Sequence, residues 1–157
     1  ATAADWGKKL PKNHGLGVAI HYSFYSYVAT IVEVSVLNKK VKVENIWTTI
    51  DCGLALNKDN IKNQLEGAAI FGMSIALYGK ISMEDGAVAQ NNFYDYQMTR
   101  MQDAPNIHID IIDAMKEPPT GVGEPGVPVI APAICNAIFN ATGERVRSLP
   151  LSDLGMV

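Results

Sequence analysis

"YVATIVEVSVL", Tyr27 to Leu37, is the stretch on which the fold turns. Its β-branched residues Val28, Thr30, Ile31, Val32, Val34 and Val36 are stiff about χ1 and suit a pleated surface better than a helix. Upstream, "GLGVAIHYSF" (Gly15–Phe24) has the same character. Downstream, "NKK" (Asn38–Lys40) reads as a turn, and "VKVENIWTTID" (Val41–Asp51) continues the pattern. In this third run Val41, Val43, Asn45 and Trp47 alternate with Lys42, Glu44 and Ile46, which predicts a half-exposed strand. The first half of the chain is therefore expected to read as antiparallel sheet, carried by these three runs. The "GLG" at Gly15–Gly17 is too short to carry meaning alone.

The period then changes. In "CGLALNKDNIKNQLEGAAIFGMSIALYGK", Asn57 or Asp59 can cap a helix. Ile61, Leu65, Ala68, Gly72, Ile75 and Ala76 fall on one helical face, and Gly79 provides a stop. Gly67 and Gly72 inside that helix cost roughly 1 kcal/mol each relative to alanine, so another backbone or a ligand is expected close by. "ISMEDGAVAQNNFYDY" predicts two short strands about Asp85-Gly86, and "NIHIDIID" predicts one more. "APAICNAIFNATG" reads as a second helix, with Pro132 in its first turn, an apolar face of Ala133, Ile134, Ala137, Ile138 and Ala141, and Gly143 at its end. "RVRSLPLSDLGMV" is expected to lie over the surface as a tail. With no repeat and no linker, residues 1–157 are expected to be one α+β domain: an antiparallel or mixed sheet packed with two main helices.

The 157 residues are enough to bury a core, and 48% of them are apolar, which excludes disorder. A net charge of −3 and a pI near 5.5 exclude a nucleic-acid partner. The apolar run Ala68–Tyr78 is broken by Gly72 and Ser74 and is too short to span a bilayer. Ala1–Leu10 has no signal-peptide pattern. Cys52 and Cys135 stand in no zinc-ligand spacing and read as buried free thiols, with a disulfide left open. His14, His21 and His108 share no metal-ligand spacing, and His21 and His108 read as hydrogen-bonded strand residues. Strand edges and turns account for Asp110 and Asp113, and for Glu84 and Asp85. Arg100 can clamp an anion or pair with Asp95 or Asp103, the ion pair being the plainer reading.

Two features call for more. "PPTGVGEPGVP", Pro118–Pro128, surrounds one ionisable residue, Glu124, with four prolines and three glycines just ahead of the second helix. Such a carboxylate either serves the helix dipole or is a base held rigidly at a pocket wall. Gln64 beside Gly67 is either an ordinary helical surface residue or a long amide reaching a ligand with donor and acceptor together.

Taken in order, "TTIDCGLALNKDNIKNQLEGAAIFGMSIALYG", "NNFYDYQMTRMQDAP" and "GVGEPGVPVIAPAICNAIFNATGERVRSLPL" resemble the C-terminal segment of the molybdenum-binding large subunit in the xanthine dehydrogenase and aldehyde oxidase family. Within it, bacterial isoquinoline 1-oxidoreductase beta subunits look most alike. The resemblance runs from about Trp6 to Leu151. It implies the C-terminal portion of a molybdenum-cofactor-binding domain. Gly121-Val122-Gly123-Glu124 matches the family's Gly-x-Gly-Glu loop, which makes Glu124 the catalytic base toward a molybdenum-bound hydroxide, while hydride passes to a sulfido ligand. Gln64 matches the glutamine of Gln-x-Glu-Gly, against the pterin, with Gly67 and Gly72 as close-approach positions on the same side. Gly123 would offer its backbone beside the metal. No residue of this chain is expected to ligate the metal itself.

The implied cofactor is molybdopterin cytosine dinucleotide with molybdenum. The implied partners are the upstream part of the same subunit, a small [2Fe-2S] subunit, and an N-heteroaromatic or aldehyde substrate. The pattern departs from the family at Lys58 and Val129, where prolines are usual. Family large subunits are several times longer, so the chain is expected to be an excised segment, inactive alone, with any export signal outside it and its localisation open. The alternative is a non-catalytic binding or structural module that keeps the fold.

Overall fold

The computed structural model describes all residues, Ala1–Val157. Strands β1 (His14–Ser23), β2 (Ser26–Leu37) and β3 (Lys40–Asp51) form an antiparallel meander, and β6 (Asn106–Ile111) adds parallel to β3. The sheet order is β1-β2-β3-β6, so the sheet is mixed. Helix α1 (Lys58–Leu77) and helix α2 (Ile130–Thr142) both pack on one face, α2 over β1 and β2, and α1 beside β6 and α2. Strands β4 (Met83–Glu84) and β5 (Ala87–Val88) form a separate small hairpin whose turn residues, Asp85 and Gly86, have φ of 50° and 81°. Neither helix is long and apolar enough to cross a membrane.

Asn57 caps α1, its side-chain oxygen accepting the Asn60 N–H at 3.0 Å. The main core lies between the sheet and the helices and includes Val28, Val32, Val34, Ile46, Ile50, Leu65, Met73, Ile134 and Ile138. A smaller cluster on the other face, Ala4, Leu16 and Ile31 with Leu10 and Trp47, lies under the N-terminal arm. β2 is covered on both faces, which is why it carries an almost unbroken apolar run.

Four sequence expectations need correction. The alternation proposed for β3 changes phase: Val41 and Val43 face the core, but so do Ile46, Thr48 and Ile50, while Trp47 lies on the opposite face. The cause is an irregularity opposite Glu33 and Val34, where Val34 pairs with Val43 and Glu33 with Asn45, so that Glu44 is an extra residue. On α1, Ile75 is exposed, whereas Ala69, Met73 and Leu77 are buried. The C-terminal tail does not lie over the surface. Leu151 and Met156 enter the main core, and the Met156 carbonyl accepts the Val41 N–H at 2.8 Å. The hydrogen-bonded histidine is His14, 3.0 Å from Glu33. His108 stacks on Trp47 with centroids 5.5 Å apart.

The "GLG" motif acquires a role only here. A Cβ at Gly15 or Gly17 would strike the α2 backbone, at the Ala137 carbonyl and at the Ala133 carbonyl respectively. Two glycines on one face of β1 let α2 lie directly on the strand.

Candidate functional site

The loop Pro118–Pro128 is tied down at both ends. At its start, the Thr120 N–H donates to the Cys52 carbonyl at 3.0 Å, and the Gly121 N–H donates to the Phe24 carbonyl at 3.0 Å. At its end, Pro125 and Gly126 are buried. The Gly126 backbone lies so close to α1 that a Cβ there would meet Leu65 and Ala68 at 2.8 and 2.9 Å. Between the two anchors, Gly123 and Glu124 are exposed. The Glu124 carbonyl accepts the Val127 N–H at 3.0 Å, which turns the chain into α2. The Glu124 carboxylate takes part in none of the five ion pairs of the molecule. Proline on its C-terminal side and this backbone turn restrict where it can point.

The loop meets α1 at Leu65, immediately after Gln64, so the structure brings the loop that carries Gly123 and Glu124 to the half of the helix that carries Gln64. Gln64 and Gly67 both face outward. Gly67 borders a groove of about 740 Å³ whose wall includes Asn63, Glu66, Phe71, Ser74 and Met98. Nothing lies within 4 Å of a Cβ placed at Gly67 or at Gly123. Gly72 does not share this side: it is buried, and its close neighbour is α2, with Ile130 Cβ 2.6 Å from the position its own Cβ would take. Five helical residues rotate the chain by roughly 140°, so Gly67 and Gly72 cannot serve one surface.

Other candidates take no part. Burial raises the thiol pKa of both free cysteines, Cys52 and Cys135, so neither is poised as a thiolate. Arg100 forms no ion pair; its backbone N–H donates to Asp103 at 3.4 Å. No three His, Cys, Asp or Glu side chains converge as a metal-ligand set. The residues fit a flat, hydrogen-bonding heterocycle: an exposed amide at Gln64, an open backbone at Gly67 and an adjoining mixed groove. Near that groove the Thr99 N–H donates to Ser74 Oγ at 3.1 Å, while Thr99 Oγ1 is buried without a partner.

Ser26 and Thr120 escaped the sequence reading, and Gly121 entered it only as part of the Gly-x-Gly-Glu match, not as an anchor. The two-residue turn at Phe24-Tyr25, where asparagine and glycine are the usual choice, marks the hairpin side of this contact and says nothing of Thr120.

Residues 1–105 match the model of a family described as a molybdopterin cofactor-binding domain. The chain belongs to this family. It is 33% identical over 156 residues to the isoquinoline 1-oxidoreductase subunit beta of Brevundimonas diminuta, covering 96% of this chain and 20% of that protein. It is also 33% identical over 154 residues to the membrane-bound aldehyde dehydrogenase [pyrroloquinoline-quinone] of Gluconacetobacter polyoxogenes, covering 94% and 20%. Among solved structures, the aldehyde oxidoreductase of Desulfovibrio desulfuricans superposes with a TM-score of 0.67 at 27% identity, over 80% of this chain and 14% of that one. The chain thus spans about a fifth of the length of the curated relatives it matches. As a molybdopterin cofactor-binding domain it carries Gln64 and Gly67 inside the matched residues, and Gly123 and Glu124 beyond them.

Proposed function

We propose that these 157 residues form one α+β domain of a longer large subunit, a molybdenum hydroxylase acting on an N-heteroaromatic compound or an aldehyde. In this reading Glu124 is the catalytic base, and the chain alone turns nothing over. The observation that carries it is the Glu124 carboxylate: exposed, unpaired, and held between two anchored loop ends beside the helix that bears Gln64. Family membership and the isoquinoline 1-oxidoreductase and aldehyde oxidoreductase relatives support the substrate class.

Gln64 would hold the pterin through its amide, with Gly67 leaving room for a ring and Gly123 offering backbone. The cofactor is proposed in its cytosine dinucleotide form. When bound, it supplies the two-electron oxidation of the substrate carbon, and the electrons leave through a small [2Fe-2S] subunit. The part played by this chain is proton transfer. A Glu124 oxygen takes the proton of the water-derived hydroxyl as the new carbon–oxygen bond forms. A base of this kind contributes about 10²–10⁴-fold when held within hydrogen-bond reach.

The test uses the native full-length protein. Its mass, molybdenum and releasable cytosine nucleotide are measured first; a large chain with both near stoichiometric is expected. Glu124→Gln keeps the shape of the side chain and removes its basicity. Turnover should fall by about 10²–10⁴-fold with cofactor content unchanged. Undiminished turnover sinks Glu124 as base, and a small chain without metal or nucleotide removes the hydroxylase reading.

A further inference from the structure

The tip of the β1–β2 hairpin is built at a cost. Phe24 and Tyr25 have φ of 53° and 63°, left-handed values that bulky side chains rarely adopt and that cost of order 1 kcal/mol or more each. Such outliers persist only where surrounding structure enforces them. The two-residue turn between Ser23 and Ser26 itself asks for positive φ at both positions, and the loop of Glu124 packs against it at Phe24. The Phe24 carbonyl accepts the Gly121 N–H at 3.0 Å, and Phe24 Cβ lies 2.5 Å from where a Gly121 Cβ would be.

Ser26, the next hairpin residue but one, is fully buried. Its hydroxyl donates to the Gly121 carbonyl at 2.6 Å. That uses its only proton, so the 2.7 Å contact between Ser26 Oγ and Thr120 Oγ1 is a bond donated by Thr120. With the Thr120 N–H on the Cys52 carbonyl, every polar group from Thr120 Oγ1 to the Gly121 carbonyl except the Thr120 carbonyl has a fixed partner. Ser23, the register partner of Ser26, adds a buried hydroxyl with no partner of its own.

We propose that the hairpin tip is the positioning device for Glu124, with Ser26 and Thr120 as positioning residues. The inference rests on the reading of Glu124 as base. The Thr120–Gly121 peptide is clamped three residues before the carboxylate, and Gly126 is clamped on α1 two residues after it. A displacement of 1 Å in a reacting group can cost about a hundredfold in rate, so a slack clamp at Thr120 should be felt at Glu124.

The experiment substitutes Thr120, which is only half-buried, rather than Ser26, whose loss endangers folding. In the native full-length enzyme, Thr120→Val keeps the shape and removes the hydroxyl. kcat should fall roughly tenfold or more with KM unchanged, and Thr120→Ser should restore it to within about twofold. In the Glu124→Gln background, Thr120→Val should cause no further loss, since it acts through that carboxylate. Independently of activity, amide hydrogen exchange over residues 120–127 should speed up roughly tenfold in the valine variant while the unfolding midpoint stays close to that of the parent. Unchanged kcat and exchange in Thr120→Val, or losses that multiply with Glu124→Gln, overturn the positioning role while leaving Glu124 as base. Full turnover by Glu124→Gln instead overturns the reading beneath it, whatever the exchange shows.

Discussion

Gly67 and Gly72 were indistinguishable in sequence, two glycines in one helix with one expected reason. Gly72 is explained by α2, because Ile130 occupies the space its side chain would need. Gly67 is explained by nothing in the chain, since a Cβ there meets open space. Glycine in a helix interior costs about 0.5–1 kcal/mol relative to alanine. Gly67→Ala should therefore stabilise the 157-residue chain by about that amount in chemical denaturation. In the full-length enzyme the same change should lower the pterin content, because the methyl group enters the space proposed for the ring. Stabilisation with full cofactor content would show that Gly67 touches no cofactor. Glu124 differs from both: the stiffness of its loop set it apart in the sequence and the family resemblance supplied a role, but the anchors that fix the loop were not legible. Ser26 and Thr120 lie 94 residues apart in sequence, and nothing local marks them as partners.

At the scale of elements, the contact between β1 and α2 decides how the layers meet. A strand and a helix usually pack through side chains, but Gly15 and Gly17 remove them, and α2 lies on the β1 backbone. Gly17→Ala places a methyl group against the Ala133 carbonyl and the Ala137 amide, neither of which can swing aside. It should cost about 2–3 kcal/mol, read as a lower urea midpoint at unchanged slope. A loss under about 0.5 kcal/mol, the range of ordinary surface changes, would mean that the two elements do not meet this closely in solution. The boundaries of α1 and α2 were legible because capping and periodicity are local: Asn57 caps, Gly143 stops with φ of 79°, and apolar residues recur at helical spacing. The phase of β3 was not. Its extra residue, Glu44, exists only against β2, since a bulge is a property of a pair of strands and not of one.

For the whole molecule, the last residues close the core. Leu151 is 0% exposed and belongs to the main cluster, as does Met156. Leu151→Ala should cost about 2–5 kcal/mol, as buried leucines do. Asp153, two residues on, forms an exposed 2.7 Å pair with Lys80, and Asp153→Asn should cost less than about 1 kcal/mol. Denaturation of the two variants side by side checks the assignment. A tolerated Leu151→Ala would return the tail to the surface, where the sequence reading had placed it.

The sequence by itself determined the α+β class, the strands, both helices with Asn57 among the candidate caps of one and Gly143 as the stop of the other, and the resemblance that singled out Glu124, Gln64, Gly67 and Gly123. Each of these depends on neighbours within a turn or two of chain, or on a motif read in order. Only the tertiary structure decided which faces of β3 and α1 are buried, where the tail goes, why Gly15 and Gly17 are glycine, and what holds the Glu124 loop. Those are contacts between segments distant in sequence. A hydroxyl that closes a clamp and a glycine that admits a helix look, before folding, like any other serine or glycine.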